Sequence, residues 1–270
     1  MRPNGRERSS LRAAAALVVL AALAAPGSGR AAEPAPRKLA VAASANLRLV
    51  LLELAGAFER RNPGVTVEPT YGSSGLLQAQ IGQGAPFDLF LGADRESAVR
   101  LGAAGHARGE PFHYATGRLV LWVAAGARVD PNVLGMASVA NPAIKRIAIA
   151  NPDVAPYGAA AVQAIRSAGL QDVAKPKLVL GESILQVVQF AQSGNAQAAF
   201  VPWSLALVPP LAAQGRYVVV PPGSYPPIEQ YGVVLGKARD PKLAEDFVTF
   251  LRGASGRTIL ERHKYALPPN

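Results

Sequence analysis

The chain has 270 residues, half of them apolar, with no cysteine and a formal net charge of +10. The missing thiols exclude disulfides, thiolate metal sites, cysteine nucleophiles and a lipid anchor on a leading cysteine, so the fold must rest on a large core. The first 32 residues carry five Arg and one Glu, leaving +6 (+10 less +4) for the rest, with no basic stripe interleaved with aromatics; no nucleic-acid partner is expected.

Arg2, Arg6, Arg8 and Arg12 precede an apolar run from Ala13 to Ala25, then Pro26-Gly27-Ser28-Gly29 and the small pair Ala31-Ala32. That run is short for a bilayer span, so residues 1–32 read as a cleavable secretory signal peptide rather than a retained anchor. Glu33 to Pro36 reads as a spacer, and from Lys38 strands alternate with helices. Strand Lys38–Ala43 leads to helix Leu47–Arg61, whose Leu47, Val50, Leu51, Leu54 and Phe58 recur at i, i+3, i+4. Asn62-Pro63-Gly64 stops it. Strand Val65–Tyr71, helix Ser74–Gln83, strand Asp88–Leu91 and a helix from Asp94 to Leu101 follow. Strand Arg118–Ala124 precedes a mixed stretch Pro131–Ala140. Strand Ile144–Ala150, helix Ala159–Ala168, strand Lys177–Leu180, helix Ile184–Gln192, strand Gln197–Val201 and helix Leu205–Ala213 continue the alternation. Strand Tyr217–Val220 runs into a Pro-rich loop, Pro221–Pro227. Strand Gln230–Leu235 and helices Asp240–Leu251 and Ser255–His263 complete the pattern.

This alternation predicts an α/β protein with mainly parallel sheets flanked by helices. Two sheets are expected: a first lobe from residues 37–117 and 229–270, and a second from 118–228. Two chain crossings then make a hinge, with a ligand cleft at the carboxyl ends of the strands.

Four strand-to-helix junctions carry small residues: Ala43-Ser44-Ala45-Asn46, Gly72-Ser73-Ser74-Gly75, Ala155-Pro156-Tyr157-Gly158 and Gly181-Glu182-Ser183-Ile184. Each offers backbone N–H groups at the positive end of a helix, and none carries Lys or Arg. Such sites suit a small, desolvated oxyanion held by neutral donors. Asn46 is also in place as an ordinary N-cap, but the small run Ala42–Ala45 lets a ligand reach the backbone. Two hydroxyls between two glycines exceed what capping needs, and Ser74 lies nearer the helical N–H groups than Ser73. Tyr157 brings a long, neutral donor or else packs as a loop aromatic. Ser183 and Ile184 offer a backbone N–H, or simply a cap.

Other chemistries find no support. His106, His113 and His263 lie far apart, with no carboxylate at metal-ligand spacing. No Gly-x-Ser-x-Gly elbow, Walker loop or dinucleotide fingerprint occurs. Asp88 and Asp94 read as a buried structural carboxylate and a helix cap.

Together the motifs Val41 to Leu47, Tyr71 to Gly75, Gly84 to Phe90, Ala150-Asn151-Pro152, Ala155 to Gly158 and Gly181 to Ile184 resemble those of the periplasmic molybdate-binding proteins of bacterial molybdate ABC transporters. The resemblance spans essentially all of the chain after residue 36. It implies a two-lobed, type-II periplasmic binding protein fold and high-affinity capture of molybdate or tungstate. It implies oxyanion contacts (not direct metal ligands) from Ala45, Asn46, Ser74, Tyr157 and Ile184. It further implies a periplasmic, monomeric receptor without cofactor or catalysis, docking on a membrane permease with a cytoplasmic ATPase. Pro202-Trp203 stands where one branch of the family adds a tyrosine donor, and Asn46 where some relatives have serine. The rivals are a binder of sulfate, ferric ion or an organic anion in the same fold, and a secreted hydrolase using one cleft serine. Ferric ion would call for tyrosine pairs and carboxylates, and only Tyr157 is well placed.

Overall fold

The computed structural model describes residues 36–269; the expected signal peptide, residues 1–32, lies outside them. Two five-stranded sheets organise the chain. The first contains β1 (Arg37–Ser44), β2 (Val65–Gly72), β3 (Leu89–Leu91), β4 (Ala107–Gly117) and, much later, β10 (Ile228–Leu235), in the order β2-β1-β3-β10-β4. The second contains β5 (Leu119–Ala124), β6 (Ile147–Ala150), β7 (Leu178–Gly181), β8 (Ala198–Pro202) and β9 (Gly215–Val219), in the order β7-β6-β8-β5-β9. The chain crosses between sheets twice, at Arg118 and through residues 220–227.

Both sheets are mixed rather than mainly parallel. In the first, β1 pairs parallel with β2 and β3, while β10 runs antiparallel to β3 and β4. In the second, β6 pairs parallel with β7 and β8, and β5 runs antiparallel to β8 and β9. The antiparallel strands are those flanking the two crossings. The parallel pairs are those joined through helices, as βαβ crossovers require.

Strand β4 occupies a stretch, Ala107–Gly117, for which the sequence pattern predicts no element. Its first half, Ala107-Arg108-Gly109-Glu110-Pro111, carries charge, glycine and proline and is largely exposed. It is an edge strand, the place in a sheet where proline does not break a ladder. Proline decides other boundaries too. The helix expected from Ala159 starts at Pro156, where the missing N–H costs nothing. The helix expected over Leu205–Ala213 is two short ones, Trp203–Ala206 and Leu211–Gln214, parted by Pro209-Pro210.

Apolar side chains fill the layers beside each sheet. Leu39, Val41, Leu51, Phe58, Leu89 and Phe247 pack in one cluster, and Leu121, Trp122, Ile147, Ile149, Phe200 and Val201 in another. The second cluster also takes in Ala45 and Ala93 from loops of the first sheet. The two halves therefore touch through small side chains where the strands end. Asp88 is buried, as expected. It accepts from the Ala40 and Arg239 backbone N–H groups at 2.7 Å each and from Arg239 Nη2 at 3.1 Å, pinning β10's far end to β1. Asp94 caps its helix through the Ser97 N–H.

Candidate functional site, a buried uncharged cavity between the strand ends

Parallel pairing brings the junctions together two by two. The register β1–β2 sets Ser44 beside Gly72, and β6–β7 sets Ala150 beside Gly181. Each sheet thus sends two neighbouring strand ends into helices at one edge, where open α/β sheets bind ligands. The two edges meet. Ser44, Ala45, Asn46, Gly72 and Ser73 from the first half, with Ala155, Pro156, Tyr157 and Ile184 from the second, line a cavity of about 10 Å³. That is room for about one water-sized group, so a tetrahedral oxyanion enters only if the two halves move apart.

No charged side chain lines it. The helix starts around it also lack side-chain caps: Ser44, Ser73, Ala155 and Ser183 all stand at N-cap positions without capping hydrogen bonds. Elsewhere Asp94, Asp130 and Asp240 cap their helices, while the helices that follow Leu170, Pro202, Pro210 and Gly253 also start without a side-chain cap. Gly75 N–H is taken by the Val154 carbonyl, so the first-turn N–H groups left to another acceptor include those of Ser74, Tyr157 and Ile184, and the helix dipoles make an anion the favoured one.

Of the residues singled out from sequence, Ala45, Asn46, Tyr157 and Ile184 line this cavity. Ser74 does not. It is fully buried just behind, where its Oγ accepts from the Ala93 N–H at 2.9 Å. Ser73 takes the lining position, and its hydroxyl donates to the Glu182 carbonyl of the opposite half. Gly75 N–H donates across the same gap to the Val154 carbonyl at 3.1 Å.

Asn46 is not an N-cap. It sits inside the 3-10 turn Ala45–Leu47, and its Nδ2 donates to Gln230 Oε1 at 2.8 Å and to the Tyr265 hydroxyl at 2.9 Å. Its Oδ1 has no hydrogen-bond partner. With both amide hydrogens used inside the protein, what Asn46 can give a cavity anion is its backbone N–H.

Tyr157 is the second residue of its helix, not a loop aromatic, and is 3% exposed. Its hydroxyl also lacks a partner. Burial raises its pKa well above the ordinary tyrosine value, and the nearby Tyr265, Tyr114 and Tyr225 add to the effect, so it remains a neutral donor. Two glycines make its position possible. A Cβ on Gly158 would stand 2.0 Å from the Ala150 carbonyl oxygen, so only glycine lets this helix start against the end of β6. A Cβ on Gly117, at the first crossing, would stand 2.0 Å from the Tyr157 hydroxyl.

Trp203 is not at the cavity. Its indole N–H donates to the Tyr217 hydroxyl at 3.1 Å, and the Arg118 and Lys264 cations lie over its ring at 5.5 and 5.9 Å. A larger groove of about 600 Å³ opens beside the cavity and shares Ala155 and Pro156 with it. Asp94, Glu96, Asp153 and Glu229 outnumber Arg95 and Arg100 along it, so it repels the anions that the inner cavity suits. Among the described residues no group of three or more His, Cys, Asp or Glu could hold a metal ion.

Sequence reasoning did not single out Gln230 and Tyr265. Gln230 had a faint signal: a polar residue on the inward face of an apolar strand, between Ile228 and Gly232. Tyr265 had none.

A family model described as bacterial extracellular solute-binding protein matches residues 39–266. The molybdate-binding protein ModA of Azotobacter vinelandii is 38% identical over 228 residues, covering 84% of this chain and 89% of its own. ModA of Rhodobacter capsulatus is 35% identical over 238 residues, covering 88% and 91%. The structure of the Azotobacter vinelandii periplasmic molybdate-binding protein superposes with a TM-score of 0.78 at 33% identity, covering 86% of this chain and all of that one. The chain belongs to the bacterial extracellular solute-binding protein family, alongside these ModA proteins.

Proposed function

We propose that this protein captures molybdate, and tungstate with it, as a bare tetrahedral dianion and delivers it to an ABC importer. The observation that carries this reading is the cavity itself. Uncapped helix starts from both halves and an unpartnered, neutral Tyr157 hydroxyl converge on one buried space without a countercharge. Backbone N–H groups at Ala45, Asn46 and Ile184 and the Tyr157 hydroxyl replace the anion's water shell, with Ser73 on the wall and Ser74 brought in only if it turns from its place behind the cavity. The relatives that share this chain's length are named for binding molybdate, which favours that ion over sulfate. Both ions carry the same charge, so cavity size and donor placement make the distinction.

Residues 37–117 with 229–270 act as one lobe and 118–228 as the other, closing over the ligand about the two crossings. The Ser73–Glu182 and Gly75–Val154 hydrogen bonds form only between closed halves, so closure gains contacts that an open form lacks. The receptor works in the periplasm as a monomer, exported by its N-terminal signal. It performs no chemistry on its ligand, and its partners are a membrane permease and a cytoplasmic ATPase.

Titration calorimetry with molybdate, tungstate, sulfate and phosphate tests the reading. Tight binding of the first two with little heat from the others is expected. Sulfate binding as tightly as molybdate would overturn the assignment, as would no oxyanion binding at all.

A further inference from the structure

We propose that Tyr265, a residue outside the cavity, is a positioning residue for the anion site, holding Asn46 in the orientation that aims its backbone N–H at the ligand. The inference rests on the function proposed above and adds a part that nothing in the cavity lining supplies.

Tyr265 follows the last helix and is 4% exposed. Its backbone N–H donates to the Leu260 carbonyl at 3.1 Å. The next residue, Ala266, exchanges two backbone hydrogen bonds with Thr116 of β4, at 2.7 and 2.9 Å. That bridge fixes the segment beside the first crossing and carries the Tyr265 ring inward. There its hydroxyl does two things to one residue: it accepts from Asn46 Nδ2 at 2.9 Å and donates to the Asn46 backbone carbonyl at 3.1 Å. Gln230 Oε1 takes the second amide hydrogen at 2.8 Å, and Gln230 is itself held by donating Nε2 to the Ile228 carbonyl at 3.0 Å. The Asn46 amide is clamped from two sides, and its carbonyl is held as well, which fixes the peptide unit that follows it.

A residue held at both its side chain and its carbonyl has its backbone torsions set, and with them the direction of its own N–H. Asn46 lies in a tight turn that leads into the helix from Arg48, and its side chain has no donor left to offer. Freed from Tyr265, the amide can rotate, and the unpartnered Oδ1 can then swing toward the anion, where its negative dipole opposes binding. The clamp therefore supports a donor and keeps an acceptor in place.

Tyr265 also touches the other half. Burial pushes its pKa up to about 12, while the neighbouring Ser204, Asn46 and Tyr157 side chains act to lower it. Ser204 and Tyr157 belong to the second half, and neither hydroxyl has a hydrogen-bond partner. Lys264, beside it in sequence, lies over Trp203 of that half. The segment that orients Asn46 thus sits where the two halves join, and it orients Asn46 best when they are together.

The test is Tyr265→Phe, read against Tyr114→Phe. Tyr114 is an equally buried tyrosine of the first half whose hydroxyl donates to the Gly92 carbonyl at 2.9 Å rather than to Asn46. Both changes remove one buried hydroxyl, so both should lower the melting temperature similarly. Only Tyr265→Phe should weaken the binding of molybdate, by about tenfold, and it should narrow the preference for molybdate over sulfate. Equal affinity in Tyr265→Phe and parent overturns the inference while leaving the proposed function standing, and so does an equal loss in both variants. A parent protein that binds none of the oxyanions removes the function and this inference together.

Discussion

Tyr157→Phe separates a ligand donor from a structural hydroxyl by the sign of its effects. The substitution deletes one oxygen and keeps the ring. In the free protein that oxygen is buried and has no hydrogen-bond partner. A stranded polar group of this kind costs about 1–3 kcal/mol, so removing it leaves the protein at least as stable. A gain of about 1 kcal/mol would appear as roughly 2–4 °C in a domain of this size. In the loaded protein the same oxygen donates to an anion. Hydrogen bonds to charged groups contribute about 1.5–3 kcal/mol, so the dissociation constant for molybdate should rise about 10- to 150-fold. Differential scanning calorimetry of the free protein gives the first quantity, and titration calorimetry gives the second. A variant that melts several degrees lower when free, yet binds molybdate as tightly as the parent, refutes the argument. The hydroxyl would then be a structural group and the cavity would have lost its best side-chain donor.

Gly117→Ala sets a methyl group 2.0 Å from that same hydroxyl. It should cost about 1–3 kcal/mol of stability by overpacking and weaken molybdate binding, with part of the stability recovered in the double variant with Tyr157→Phe. Equal melting temperatures for Gly117→Ala and parent would contradict the close approach. Alkaline pH offers a second check. Tyr265 titrates near 12 when folded and near 10 when free. Between those values the unfolded chain holds fewer protons, so stability is full below about pH 10 and falls by about 2–3 kcal/mol as pH approaches 12. Tyr114 and Tyr157 shift in the same direction and add to the loss. Urea midpoints unchanged between pH 9 and 11.5 would be inconsistent with these burials. Asp88→Asn replaces a carboxylate that accepts three hydrogen bonds far from the cavity. It should cost about 2–3 kcal/mol while leaving molybdate affinity at 25 °C intact, as urea unfolding and calorimetry would show.

Local pattern made most helices and the inner strands readable, because an apolar stripe at helical spacing or a short apolar run is written into consecutive residues. Helix Ile184–Gln192 has the same bounds in sequence and structure. The sheets' mixed character was not readable, since strand direction depends on where the chain crosses, not on composition. Strand β4 was hidden because an edge position tolerates the proline and charge that a central strand does not. The junctions stood out as small-residue loops, but which serine of the Ser73-Ser74 pair turns inward depends on the helix's rotation against β3. Asn46 shows the deeper reason. Its role is set by Gln230 and Tyr265, 184 and 219 residues away along the chain, and such hydrogen bonds leave no mark on the local pattern.

That long reach has a consequence for how the molecule comes into being. Ribosomes and export channels release a chain from its amino end, so Asn46 emerges early and waits through almost the whole of synthesis for Tyr265. Until those last turns arrive, the turn at Ala45–Leu47 has nothing to lock its carbonyl, and a nascent chain can fold much of both sheets without yet being a receptor. On the role proposed for Tyr265, competence to hold an ion comes only with the last residues to emerge.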